Sequence, residues 1–252
     1  MPLIISPKTT SQVLAAFTRE LNLQKSPKGK FWHGNFNDNV YTGLDGLVTV
    51  LFTGYSGGVV GQAMIEYTSN YLKEDQKPEA YFIGSVFAFR DSALNVGDIA
   101  YATDTFSPDS FEQSIYTNAE ARNIQNITLP DPALLTKLQG VAQKQGVKIA
   151  PSKVYCCITP GFAPQFTHPR QLMNTMWHAQ SLAALDENSF DSGEYESASF
   201  LACSRLFGIP AVALLDVKDK RYSLSDYRLA STAQKDQALT AMLGIVRGCI
   251  LQ

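Results

Sequence analysis

Short apolar runs of strand length alternate along this chain with amphipathic runs of helix length, and that alternation is what most limits its fold. "LIIS" at 3–6, "GLVTVLFTG" at 46–54, "AYFIGS" at 80–85, "GDIAYATDT" at 97–105, "KVYCCITP" at 153–160 and "PAVALLDV" at 210–217 read as strands. Several are apolar nearly throughout, as strands covered on both faces are. Residues 10–22 place Val13, Leu14, Phe17 and Leu21 on one helical face. Helices are also predicted at 59–72, 132–146, about 170–185, from 194 onward, and over 231–250. The helix from 194 has Asp191 or Ser192 as its cap, Glu194 as a solvent-facing first-turn acid, and Gly208 with Pro210 as its stop. Alternating elements of this kind predict one α/β domain over 1–252, a mostly parallel or mixed sheet sandwiched by helices. In such folds ligands collect at strand ends, which directs attention to 54–58, 84–90, 104–110, 159–168 and 216–222.

The composition narrows the function. Of 252 residues 45% are hydrophobic, enough for a sizeable core, and 21 basic against 23 acidic residues leave a net charge of −2. No run of like charge suggests a nucleic acid or an anionic membrane as partner. No apolar stretch approaches the roughly 20 residues of a spanning helix. The start, "MPLIISPKTTSQ", has no basic n-region, and a cytoplasmic protein is expected. Four cysteines in this length are no disulfide framework, and Cys156 and Cys157 in "VYCCI" read as reduced core residues. His33, His168 and His178 lack metal-ligand spacing, so no metal site is expected.

Three stretches carry a family resemblance. "EYESASFLACSRLFGIPAVALLDVKDK" resembles the C-terminal signature of the nucleoside phosphorylase and nucleosidase superfamily: a helix opening with an aromatic or methionine, then Glu, then Ser/Thr-Ala, followed by a strand ending in Asp. Here Glu196 and Asp219 stand 23 residues apart, the separation of the purine-specific members, and "IPAVALL" looks most like the AMP nucleosidase branch. "YFIGSVFAFRDSALNVGDIAYATDTFSPDS" is similar to the family's strand, Gly-rich turn and "VGD" segment, and "YCCITPGFAPQF" stands where relatives hold the base. The resemblance implies a three-layer α/β sandwich whose mixed central sheet is partly barrel-like, a nucleoside or nucleotide as ligand, and a homo-oligomer. It implies no cofactor, with phosphate possible as a co-substrate.

Cleaving an N-glycosidic bond passes through an oxocarbenium-like ribose while negative charge grows on the base. The resemblance assigns Glu196 to the 2′ and 3′ hydroxyls, with Tyr195 beside the sugar, because a carboxylate accepts two hydrogen bonds and stabilises nearby positive charge. It assigns Asp219 to the purine N7 as general acid, a role that needs a raised pKa and therefore burial. Asp216 is a second candidate. Gly57 and Gly58, at a strand-to-helix junction, offer N–H groups to a phosphate. Ser85 falls near the ribose or phosphate, and Arg90 suits a 5′-phosphate. Phe162 is the candidate for stacking on the base, with Phe166 and Trp177 behind it. His33 is either structural or directed to a neighbour's 5′ end.

The chain also departs from the pattern. Lys218 replaces the usual Ser before the aspartate, and Lys220 follows it. An ammonium about 6 Å away favours ionised Asp219 by roughly 3 kcal/mol at an effective dielectric of 20, against the acid role. Phe87 and Ala88 replace two small residues of the Gly-rich turn, and Phe82 stands where phosphorylases carry an arginine. Losing that guanidinium favours hydrolysis over phosphorolysis. No counterpart of the water-activating N-terminal glutamate of homocysteine-type nucleosidases occurs in "LIISPKTTSQ". Three readings follow: a purine nucleoside or nucleotide hydrolase, a phosphorylase, or a non-catalytic nucleoside-binding or storage-type member of the fold.

Overall fold

The computed structural model describes residues 1–7, 10–26, 39–53, 57–71, 77–89, 91–107, 127–156, 190–221 and 227–252. Within them eleven strands form one mixed sheet: β1 (Leu3–Ser6), β2 (Gln24–Lys25), β3 (Val40–Gly43), β4 (Val48–Phe52), β5 (Ala80–Ala88), β6 (Ile99–Phe106), β7 (Ile127–Thr128), β8 (Ile149–Cys156), β9 (Ser192–Glu194), β10 (Ala211–Arg221) and β11 (Tyr227–Leu229). The order is β11-β10-β6-β8-β9-β5-β1-β4-β3-β2, with β7 beside β6. A further pairing of β10 with β5 closes β5, β10, β6, β8 and β9 into a five-stranded barrel, while β1 to β4 extend from β5 as an open sheet.

Five helices among the described residues cover this sheet: α1 (Ser11–Leu21), α2 (Gly57–Tyr71), α3 (Pro132–Lys144), α4 (Ser197–Leu206) and α5 (Thr232–Ile250). Strand residues alternate strictly between two cores. Ala80, Phe82, Val86, Ala88, Ala211, Ala213, Leu215 and Val217 join α2 and α4. Tyr81, Ile83, Val212 and Leu214 join α1, α3 and α5. Successive side chains of a strand point to opposite faces, so a strand covered on both must be apolar at every position. The predicted three-layer α/β sandwich with a partly barrel-like sheet is the observed one.

Local chemistry sets most helix ends. Thr10 caps α1, accepting from Val13 N at 3.4 Å, and Asp131 caps α3, accepting from Leu134 N at 2.8 Å with Pro132 behind it. Gly208, in the left-handed region at φ +64°, ends the turn after α4. The predicted strand at 153–160 instead begins at Ile149, and its described part ends at Cys156. The predicted helix at about 170–185 lies outside the described residues. No described helix is long and apolar enough to cross a membrane.

The prediction for the start of α4 is corrected. Residues 192–194 form strand β9, and the helix begins only at Ser197. Neither expected cap serves it: Asp191 Oδ2 accepts from Lys153 N at 2.9 Å, and the Ser192 hydroxyl bonds that of Ser152 at 2.7 Å. Both side chains hold β8 and β9 together instead.

Helix α5 has a reciprocal capping box: Gln234 N donates to Ser231 Oγ at 3.2 Å and Ser231 N to Gln234 Oε1 at 2.9 Å. Ser231→Ala is expected to cost about 1 kcal/mol. Thermal unfolding of the full chain should show a fall in Tm of roughly 2–4 °C.

Candidate active site

The site grows from the junction of β9 and α4. Glu194, the last residue of β9, is 2% exposed rather than solvent-facing as its sequence context suggests. Its carboxyl accepts from Glu196 N at 2.7 Å, Ser197 N at 3.0 Å, Ser197 Oγ at 2.8 Å and the Cys156 thiol of β8 at 2.6 Å. Donors on both oxygens are what a carboxylate takes. Backbone N–H groups at the start of α4, which have no partner within the helix, thereby find one. Burial, and then the charge of Glu194, push the Cys156 thiol well above its ordinary pKa, so it stays a neutral donor.

Because Glu194 caps α4, the residue at the cap position is released from that duty. Glu196 occupies it with φ −128° and ψ −29° and makes no side-chain capping bond. The residue is 3% exposed, and its Oε1 atom is buried with no hydrogen-bond partner. Burial, reinforced by the Glu194 charge and a side-chain hydrogen bond to Glu194, raises the Glu196 pKa from 4.5 to about 9, while Lys218 pulls it down. An open acceptor on a buried carboxyl is costly unless a ligand supplies the donor.

Asp219 arrives from β10. That strand pairs with β5 in regular register up to Val217 and Val86, then slips by one residue, so that Asp219 and not Lys218 stands opposite Phe87. The extra residue, Lys218, is the bulge, a device that re-aims side chains beside sites. Asp219 is 5% exposed. Lys220 is drawn away, its ammonium donating to the Ser92 and Leu94 carbonyls at 2.8 Å each. The two lysines flanking the aspartate therefore have different targets: Lys220 a turn, Lys218 the field of Glu196.

Phe87, on the other side, pairs with Gly193 of β9. Gly193, Phe87 and Asp219 thus lie level across β9, β5 and β10. A Cβ on Gly193 would fall on the Phe87 ring, which also packs edge-on against Phe89 at 5.3 Å. The bulk at 87 that departs from the family pattern is accommodated by that glycine, and it gives Asp219 an apolar neighbour.

The remaining candidates divide. The Ser85 hydroxyl donates to Asp216 at 2.5 Å, and the two residues pair across β5 and β10. Gly57 and Gly58 open α2, the helix N-terminus expected of them. Tyr195 links β9 to α4 between the two glutamates. Arg90, Phe162 and Phe166, with Trp177 and His33, lie outside the described residues. Concavities of about 370 and 790 Å³ elsewhere are lined by neither Glu196 nor Asp219. The smaller includes Asp131, already engaged in capping α3. Sequence reasoning missed Glu194 and Cys156. The signal for Glu194 was an acid shortly before the helix that opens at Ser197; for Cys156 there was none.

A five-stranded barrel extended by an open sheet, with a buried carboxyl at a helix start and an aspartate on the adjoining bulged strand, defines an α/β protein of mixed barrel-and-sheet architecture. The phosphorylase superfamily model matches residues 10–250, and the chain belongs to that superfamily. Three solved structures share its fold. A futalosine hydrolase mutant of Helicobacter pylori strain 26695 matches with a TM-score of 0.66 at 11% identity, over 99% of this chain and 98% of that one. A purine nucleoside phosphorylase from Toxoplasma gondii in complex with immucillin-H gives 0.68 at 14%, over 98% and 89%. A 5′-methylthioadenosine/S-adenosylhomocysteine nucleosidase from Colwellia psychrerythraea 34H in complex with adenine gives 0.64 at 15%, over 99% and 93%. No curated protein matches the chain.

The raised pKa of Glu196 makes stability depend on pH. Below pH 4.5 the carboxyl is protonated folded and unfolded alike; between 4.5 and about 9 the unfolded chain releases a proton that the fold retains. Stability is therefore lost as pH rises through this window. Glu196→Gln removes the titration and keeps a donor toward Glu194. Its Tm should match the parent's near pH 4.5 and rise progressively above it as the pH is raised toward about 8.5. A constant difference across that range would contradict the assignment.

Proposed function

We propose that the chain is a purine N-ribosyl hydrolase acting on a nucleoside or nucleotide. The observation that carries this reading is the buried, unpartnered Oε1 of Glu196, an acceptor awaiting a donor. A ribose diol supplies two such donors in a pair. The carboxyl that receives them then lies close to C1′, where positive charge develops as the glycosidic bond lengthens. Asp219, buried beside the Phe87 ring, serves as the acid for the departing base. Tyr195 packs beside the sugar. Gly57, Gly58 and Arg90 are assigned to a 5′-phosphate and Phe162 and Phe166 to the base, on the family resemblance.

Phosphorolysis is the second reading, and Phe82 weighs against it. Its ring is wholly buried against Phe200 at 5.6 Å between centroids, so this position offers a phosphate no charge. Water is the nucleophile under the first reading. A homo-oligomer in the cytoplasm, with no metal or organic cofactor, completes the proposal.

The test is an assay of the purified chain on adenosine, inosine, guanosine, methylthioadenosine, AMP and uridine, with and without phosphate, following free base and sugar by chromatography. Base should be released from a purine substrate without phosphate. Asp219→Asn and Glu196→Gln should each lower the rate by at least about 100-fold. Release that requires phosphate would establish the phosphorylase. No release at high protein concentration would leave a nucleoside-binding member of the fold.

A further inference from the structure

Glu194 has no role in the reaction as drawn, yet it is among the most heavily hydrogen-bonded side chains around the site. We propose that Glu194 is the positioning residue of this site, fixing the direction of the Glu196 carboxyl and setting the single negative charge that the two glutamates present together to a sugar. The inference rests on the ribose-binding reading of Glu196.

Geometry comes first. Glu194 bonds the backbone N–H of Glu196 and both the N–H and the hydroxyl of Ser197, so the two residues that carry and follow the sugar ligand are held by one side chain. The thiol of Cys156 holds Glu194 from the far side, across the β8–β9 pairing in which the two residues stand opposite each other. A carboxyl held within a fraction of an ångström is what orientation of a reacting sugar demands.

Charge follows from the same contacts. Two buried carboxyls in hydrogen-bond contact do not both ionise readily. The donors converge on Glu194, while Glu196 has an oxygen with no partner at all. The shared proton therefore resides on Glu196 and bridges to Glu194. Among the described residues, the groups facing the pair are Cys156 from β8, Ser197 from α4 and Lys218 from β10, and of these Lys218 adds a charge. In the free site the pair carries one proton. When a diol donates to Glu196, that proton stays in the bridge, and the carboxyl remains polarised toward a carboxylate by its neighbour.

The experiment labels glutamate carboxyls with 13C in the full chain and follows their pH titration in the parent, Glu194→Gln, Glu194→Asp and Cys156→Ala, beside calorimetric binding of adenosine and of AMP. The Glu196 resonance, identified by its loss in Glu196→Gln, should titrate near pH 9 in the parent. It should fall by at least about one unit in Glu194→Gln, where the neighbouring charge is gone. Glu194→Asp should return part of that shift. Cys156→Ala, which alters neither carboxyl, should also move the Glu196 titration, because the thiol that holds Glu194 is gone, and keeps the test alive if Glu194→Gln does not fold. Affinity for whichever nucleoside binds should fall at least about tenfold in Glu194→Gln with circular dichroism unchanged. A Glu196 titration indifferent to Glu194 and Cys156 overturns the proposal, as does a shifted titration with unchanged affinity. Failure of the parent to bind either ligand refutes the ribose reading instead, and the titrations then decide the paired-carboxyl arrangement alone.

Discussion

The buried carboxylate of Glu194 is the interaction on which the rest of the site depends. A charge taken out of water costs several kcal/mol unless its oxygens are met by donors. Here they are met from three elements: β8 through Cys156, the chain leaving β9 through Glu196, and α4 through Ser197. Each donor in turn depends on the charge, since two of them are backbone N–H groups at a helix start with no helical partner. Strand, turn and helix are thereby locked at one point. The barrel must close between β9 and β5 for that point to exist, because β9 is only three residues long and has no stability of its own.

The departures from the family pattern then read as matched changes. A phenylalanine at 87 cannot share its register level with a side chain on β9, and Gly193 has none. Lysines on both sides of Asp219 threaten its role only if the strand keeps its regular register. The bulge at Lys218 breaks that register, and the Ser92 and Leu94 carbonyls take the second ammonium. Two substitutions that in the linear sequence argue for a dead site are absorbed by a glycine and a turn 106 and 128 residues away, from 193 − 87 and 220 − 92.

What was legible in the sequence follows from range. Strands β5 and β10 are apolar on both faces because both faces are covered, so they announce themselves. The caps of α1, α3 and α5 are local bonds three residues apart, and they were not singled out from the sequence; only the α5 box is reciprocal. The start of α4 was misread because the local rule for acids in a first turn competes with a contact 38 residues distant, Cys156 to Glu194. Strands β2, β3, β7 and β11, of two to four residues, are too short for any periodicity to develop. Of the site, Glu196 and Asp219 came from resemblance. The open oxygen of the first and the bulge that sets the second are products of packing.

On the proposed reading, the glutamate pair carries one negative charge before a substrate arrives, with the ammonium of Lys218 acting on it. A nucleoside that enters is neutral and gains positive charge on its sugar only as the bond to the base lengthens. The glutamate pair lies on the sugar side and can respond, because the bridging proton moves toward Glu194 as positive charge appears beside Glu196. A fixed dianion would hold more field, but the fold would bear its desolvation at all times. A neutral pair would supply none. A single shared proton lets the burial that opens Glu196 to a ligand coexist with the charge that a cleaving site requires, and the Cys156 thiol, kept neutral by its own burial, holds that arrangement in place from behind.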